Sequence, residues 1–157
     1  LNDTLKRLKG EKVDTVREIK IDIAITSKIP YSFIEDEAER LKIIAKISNI
    51  TNRDNARKII NELLIEYGKL PKEIYTLANI TLMKSLAQKQ KVKQIKINKN
   101  QMSIIYYDDI SISELINKVN KFKKFKFENT TLPTISLSPN EFSVQTAMTY
   151  CLEFFNS

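Results

Sequence analysis

Apolar and polar positions alternate between residues 19 and 25. Ile19, Ile21, Ile23 and Ile25 are separated by Lys20, Asp22 and Ala24. A β-strand turns successive side chains to opposite faces, so this spacing predicts a half-buried strand. Ile29-Pro30-Tyr31 turns the chain out of it. The period then lengthens. From Glu35 the spacing predicts a helix with an acidic first turn, Glu35-Asp36-Glu37, at the positive end of its dipole. Leu41, Ile44, Ala45 and Ser48 are its expected buried stripe. Thr51, with Asp54 three residues on, predicts the cap of the next helix. In that helix Ala56, Ile59, Ile60, Leu63, Leu64 and Tyr67 recur on one face. Gly68 closes it through a backbone conformation that costs other residues strain. Pro71 then opens a third helix, at a position where no N–H partner is lost.

The third helix extends to about Gln90 and is apolar on two sides, with Ile74, Leu77, Ala78 and Leu82 on one and Ile80, Met83 and Ala87 towards another. Such a helix is expected at the centre of its domain. Val92 to Ile97 and Ser103 to Tyr107 predict two strands joined by Asn98-Lys99-Asn100-Gln101. Ser111 and Glu114 form a capping box ahead of Ile112, Leu115, Ile116 and Val119. Phe125-Lys126-Phe127 and Thr134 to Leu137 predict short strands, and Ser138-Pro139-Asn140-Glu141 a helix start. The last helix is expected to bury Val144, Ala147, Met148, Cys151, Leu152 and Phe155. The expected fold is α+β, with about five to six helices packed on a small mixed sheet of about four to five short strands.

Composition removes most chemistry. The chain has no histidine, which excludes the usual catalytic triads and the commonest metal ligand. Gly10 and Gly68 are its only glycines, so no glycine-rich phosphate loop can form. Asp108-Asp109 is an adjacent carboxylate pair whose members point apart on a strand, and it reads as a turn leading into a helix. No cofactor is expected. The single cysteine, Cys151, precludes an internal disulfide; it reads as a small buried hydrophobe in a reducing compartment, with the cytoplasm as the expected location. No apolar run approaches the roughly 18 residues that span a membrane. The start at Leu1, with no secretory leader pattern, reads as a fragment of something longer.

Charge adds two candidate surfaces. The formal net charge is +7 and unevenly placed: every arginine lies before residue 58, and the later basic residues are all lysine. Lys84, Lys89, Lys91, Lys93, Lys96 and Lys99 occur with no acid between them, a pattern able to neutralise phosphates. No aromatic residue is interleaved for base stacking, and a solvated rim is the simpler reading. Glu62 and Glu66, four apart on the helix before Gly68 and one turn beyond Lys58, form an acidic pair that a basic partner would relieve.

The order of the pieces carries a resemblance. Ile29-Pro30-Tyr31-Ser32-Phe33-Ile34 precedes an acidic helix start containing Arg40-Leu41; Ile44 to Ser48 follows, then Asn61-Glu62-Leu63-Leu64-Ile65-Glu66-Tyr67-Gly68-Lys69-Leu70-Pro71. A long helix through Leu77, Ala78, Leu82 and Leu86 then leads into Val92-Lys93-Gln94-Ile95. This resembles the C-terminal domain of the bacterial transcription-repair coupling factor family. Glu66-Tyr67-Gly68 stands where the family has Arg-Phe-Gly, Ile65 stands at a position often acidic, and Glu62 matches an acidic one.

The resemblance implies a non-catalytic regulatory domain. In that family the parent is an ATP-dependent DNA translocase that displaces stalled RNA polymerase and recruits the excision-repair protein UvrA. Its C-terminal domain packs on the UvrA-binding module of the same chain, masking it and restraining the motor. Residues 1–10 then correspond to the end of a helix leaving the motor, 11–18 to a linker, and 19–157 to the regulatory domain. The intramolecular docking candidates are Glu62, Ile65, Glu66 and Tyr67. UvrA, RNA polymerase and DNA are partners only through the parent, and no membrane is involved. The alternative is a nucleic-acid-binding accessory module that uses the lysine run.

Overall fold

The computed structural model describes residues 17–25, 27–137 and 143–156. The expected helix end at 1–10, most of the expected linker and the expected helix start at Ser138 to Glu141 lie outside those residues. In chain order the elements are β1 (Lys20–Ile23), α1 (Glu37–Ser48), α2 (Arg53–Tyr67), α3 (Lys72–Gln88), β2 (Val92–Asn98), β3 (Gln101–Tyr106), α4 (Ile112–Phe122), β4 (Lys126–Asn129), β5 (Pro133–Leu137) and α5 (Val144–Asn156). The five strands form one sheet in the order β1-β2-β3-β5-β4. β1 runs parallel to β2, and every other pair is antiparallel. A parallel pair needs a long crossover, which α1, α2 and α3 supply. The α+β class expected from the sequence is what forms.

The sheet has two unlike faces. Register places Ile95 opposite Ile104 and Ile97 opposite Met102, and all four are buried. Cys151 of α5 reaches this face, its Sγ lying 3.8 Å from Met102 Sδ. α3 and α5 pack on each other and on β2. The opposite face pairs Lys20 with Gln94, Asp22 with Lys96 and Lys96 with Ser103, and is more polar, although it also carries Ile105, and Ser103 and Thr134 are buried there. α3 is central as its two-sided pattern predicts: Ile74, Ala78, Leu82, Met83, Leu86 and Ala87 are all buried. α1 and α2 form the outer layer against it.

Two sequence expectations fail for local reasons. α1 buries Arg40, Ile43 and Ile47, whereas Leu41 is 59% and Ile44 42% exposed, and Ala45 and Ser48 are exposed too. The helix carries apolar side chains on two sides. Ile43 and Ile47, each 1% exposed, take the core side, and Arg40 is buried with them, its guanidinium donating to the Ile34 carbonyl at 3.3 Å and lying 4.1 Å from the Tyr31 ring. The second failure is the cap of α2, which is Asn52 rather than Thr51. Asn52 Oδ1 accepts the Asn55 N–H at 2.8 Å, and Asn55 Oδ1 accepts the Thr51 N–H at 2.9 Å. These two bonds satisfy the N–H groups of Asn55 and Thr51 where the Thr51–Asp54 box was expected.

Other boundaries shift less. Asn98 and Gln101 pair in the ladder, so the hairpin turn is only Lys99-Asn100, with Asn98 Oδ1 accepting the Asn100 N–H at 2.9 Å. The Ser111 cap of α4 is present. At α5 the described helix begins after Ser143, whose Oγ accepts the Thr146 N–H at 3.1 Å. α5 buries Phe154 as well as Ala147, Met148, Cys151 and Phe155, and leaves Val144 and Leu152 partly exposed.

Candidate interdomain docking surface

α2 positions all of the docking candidates, because its buried residues, Ile59 and Leu63, fix its rotation. Leu63 is 1% exposed, whereas Ile65 is 87% exposed, the most exposed large apolar side chain among the described residues. Glu66 lies beside it and is exposed.

Glu62 and Tyr67 are instead tied to α1. Glu62 Oε2 lies 2.8 Å from Lys46 Nζ, both side chains being partly exposed. The hydrogen bond from Lys46 holds the Glu62 carboxyl below the usual carboxylate range. The sequence placed Lys58 as its neighbour; the direct partner is on another helix. The Tyr67 hydroxyl donates to Glu39 Oε2 at 2.7 Å, and its ring meets Phe33 edge-on at 6.0 Å. That hydrogen bond, with burial, pushes the Tyr67 phenol up to about 12 and lowers Glu39. These two pairs brace α2 against α1 just before the chain turns at Gly68.

Gly68 ends α2 with φ 77° and ψ −143°, while its N–H still bonds the Leu64 carbonyl at 2.9 Å. Leu64 is 36% exposed rather than buried as its spacing predicted. The α1–α2 layer therefore presents Leu41 and Ile44 from α1 and Leu64 and Ile65 from α2, with Tyr31 ahead of them. Isolated exposed apolar residues are ordinary on a protein surface; Ile65 stands out by the extent of its exposure.

The lysines of the run have different neighbours. Lys84 is exposed on α3. Lys89 Nζ donates to the Thr51 carbonyl at 3.0 Å, and Lys91 Nζ to the Asp109 carbonyl at 3.2 Å. Lys93 Nζ lies 5.9 Å from the Tyr107 ring centroid. Lys96 lies on the polar face of the sheet, and Lys99 in the hairpin turn. Among the described residues, no group of three or more His, Cys, Asp or Glu side chains is placed to hold a metal, and no helix is long and apolar enough to cross a membrane.

One feature had no signal in the sequence. Arg17, ahead of β1, donates through both terminal nitrogens to the two carboxylate oxygens of Asp109, at 2.6 and 2.5 Å. Its guanidinium lies 4.8 Å from the Tyr107 ring, and the Tyr107 hydroxyl donates to the Glu18 carbonyl. The hydrogen bonds from Arg17 pull the Asp109 carboxyl down to about 2. Arg17 and Asp109 stand 92 residues apart, so only the fold brings them together.

Known proteins share this sequence pattern and this fold. The TRCF domain model matches residues 23–115. The chain is 30% identical over 140 residues to the transcription-repair-coupling factor of Buchnera aphidicola subsp. Acyrthosiphon pisum (strain APS), covering 83% of this chain and 17% of that protein. It is 25% identical over 123 residues to that of Borreliella burgdorferi (strain ATCC 35210 / DSM 4680 / CIP 102532 / B31), covering 77% of this chain and 11% of that protein. For the factor of Bacillus subtilis (strain 168), identity is 22% over 112 residues, or 71% of this chain and 10% of the relative. The chain thus spans a small part of each of these relatives. A crystal structure of the C-terminal domain of transcription-repair coupling factor superposes with a TM-score of 0.72 at 21% identity, covering 88% of this chain and 89% of that one, a likeness of fold. The family model covers more than half of the sequence and includes α1, α2, α3, β2 and β3, so the chain belongs to the TRCF domain family.

Proposed function

We propose that this is the regulatory domain of a transcription-repair coupling factor, and that it docks through the α1–α2 layer on the UvrA-binding module of its own chain. Docked, it masks UvrA recruitment and restrains the ATP-dependent DNA translocase; released, it permits both. In this reading residues 19–157 are the regulatory domain, attached through the preceding segment, and they transform no substrate. The observation that carries the reading is Ile65, an 87% exposed apolar side chain beside Glu66 on a helix whose rotation is fixed by a buried leucine. Burying an isoleucine is worth about 1.5–3 kcal/mol. A hundredfold restraint of the motor needs a coupling of about 2.7 kcal/mol. One well-placed side chain is of that order before the cost of association, which suits contacts that must also release.

The test is Ile65→Asp in the full-length parent. The expected result is raised ATP hydrolysis without polymerase, together with stronger capture of UvrA. Unchanged values for both refute docking through this helix. Glu62→Lys is the companion variant: it opposes Lys46 and any basic partner at once, so it is expected to raise both readouts as well.

A further inference from the structure

A cleft of about 310 Å³ lies between the α3–β2 junction and the first turns of α4. Lys89, Lys91 and Lys118 line it, opposed by the single carboxylate of Glu114. Lys118 is the informative one. Its Nζ donates to Gln90 Oε1 at 3.1 Å and lies 4.6 Å from the Phe154 ring. Among the described residues no ion pair joins it to a carboxylate, although Glu114 lies one turn earlier on α4. Burial lowers its pKa. A part-buried cation whose polar partner is a neutral amide lacks a counter-charge.

Two further features point the same way. Tyr106 also lines the cleft; it is 1% exposed, and its hydroxyl has no hydrogen-bond partner among the described residues. An unpaired buried hydroxyl costs about 1–3 kcal/mol. The N-terminus of α4, an 11-residue helix capped by Ser111, lies at the same cleft. The first backbone N–H groups of a helix have no intrahelical acceptor, and its dipole favours an anion there. Lys89 uses one donor on a backbone carbonyl, and Lys91 one on the Asp109 carbonyl while also lying 3.9 Å from the Asp109 carboxylate; a lysine carries three donors, so each keeps capacity for a ligand.

We propose that this cleft binds a phosphate or pyrophosphate group, with Lys118 as the inner cation, Lys89 and Lys91 at the mouth, and the N-terminus of α4 donating to the anion. The volume is at the low end for ligand sites, which suits a phosphate moiety rather than a large ligand. That group can belong to a free phosphorylated molecule or to a nucleic-acid backbone. This site lies on other elements than the α1–α2 layer and is independent of the docking proposal.

The experiment titrates the 157-residue chain with sodium pyrophosphate at constant ionic strength, followed by amide and lysine side-chain NMR shifts. Saturable shifts are expected at residues 111–115 and at Lys118. Lys118→Met is expected to weaken binding at least about tenfold, Lys118→Arg by less than about threefold, and Lys69→Met, beyond Gly68, not at all. If Lys118→Met fails to fold, Lys91→Gln carries the test with the same expected tenfold loss. A short DNA duplex is the second titrant. Displacement of pyrophosphate by duplex assigns the phosphate to nucleic acid, and its absence assigns it to a small molecule. Shifts that never saturate, or an equal loss in Lys69→Met, overturn the proposal.

Discussion

Replacing Gly68 isolates a purely conformational cost. Its φ of 77° and ψ of −143° are the mirror image of the extended polyproline conformation, a region that an L side chain avoids. A Cβ built there meets nothing within 4 Å, so no steric clash adds to the backbone strain. That strain costs about 1–3 kcal/mol. Alanine also restricts the unfolded chain, which returns about 0.4–1 kcal/mol. Gly68→Ala is therefore expected to lose about 1–2 kcal/mol. D-alanine at the same position prefers the mirror-image region and keeps the entropic gain. A semisynthetic chain carrying D-alanine in place of Gly68 is expected to gain about 0.4–1 kcal/mol over the glycine chain. The assay is urea unfolding followed by circular dichroism. At a slope of about 2 kcal/mol per molar, the L-alanine midpoint falls by roughly 0.5–1 M with the slope unchanged. Equal stability of the L- and D-alanine forms would refute the claim that α2 ends through a conformation forbidden to L-residues.

The phase of α2 is checked by two truncations. Leu63→Ala, at a position 1% exposed, is expected to cost about 2–5 kcal/mol, whereas Ile65→Ala, at 87% exposure, is expected to stay within about 0.5 kcal/mol; similar losses by urea titration would mean the wrong face is buried. Acid titration checks the clamp at Arg17. The Asp109 carboxyl is depressed to about 2, chiefly by the hydrogen bonds from Arg17. A depressed carboxylate contributes above its unfolded pKa of about 3.9, and the contribution is lost as pH falls through the folded value. The pair is therefore expected to persist at about pH 4 and to open towards about pH 2. The carboxyl ¹³C shift of Asp109 reports this directly, and an ordinary midpoint near about 3.9 refutes it.

Legibility followed the range of the interactions. The alternation around Lys20–Ile23, the stop at Gly68, the central α3 and the Ser111 cap depend on residues within a turn or a strand of one another, and the sequence shows them. α1 defeats the same reading because Leu41 and Ile44 compete with Ile43 and Ile47 for the core, and the tertiary packing takes the second pair. Asn52 and Asn55 supplant Thr51 and Asp54 because an amide both accepts at the cap and reaches back. At the candidate surface, the spacing located the α2 candidates but gave no hint that Glu62 and Tyr67 would be held by Lys46 and Glu39. Lys118 and Tyr106 had no motif to mark them; their environment is assembled by the α3–β2 junction, β3, α4 and, at Lys118, Phe154 of α5.

The clamp at Arg17 also decides where a pull on the chain is felt. β1 contributes four residues at the sheet edge and, among the described residues, pairs on one side only, so peeled from its start it would open one rung at a time. Arg17 sits ahead of that ladder and grips the corner between β3 and α4 through Asp109 and Tyr107. Tension arriving from upstream therefore loads a charged fork and a stacked ring first, and reaches the body of the domain through its middle strand. Neutralising the Asp109 carboxylate removes the fork and leaves the Tyr107 ring as the guanidinium's remaining contact among the described residues.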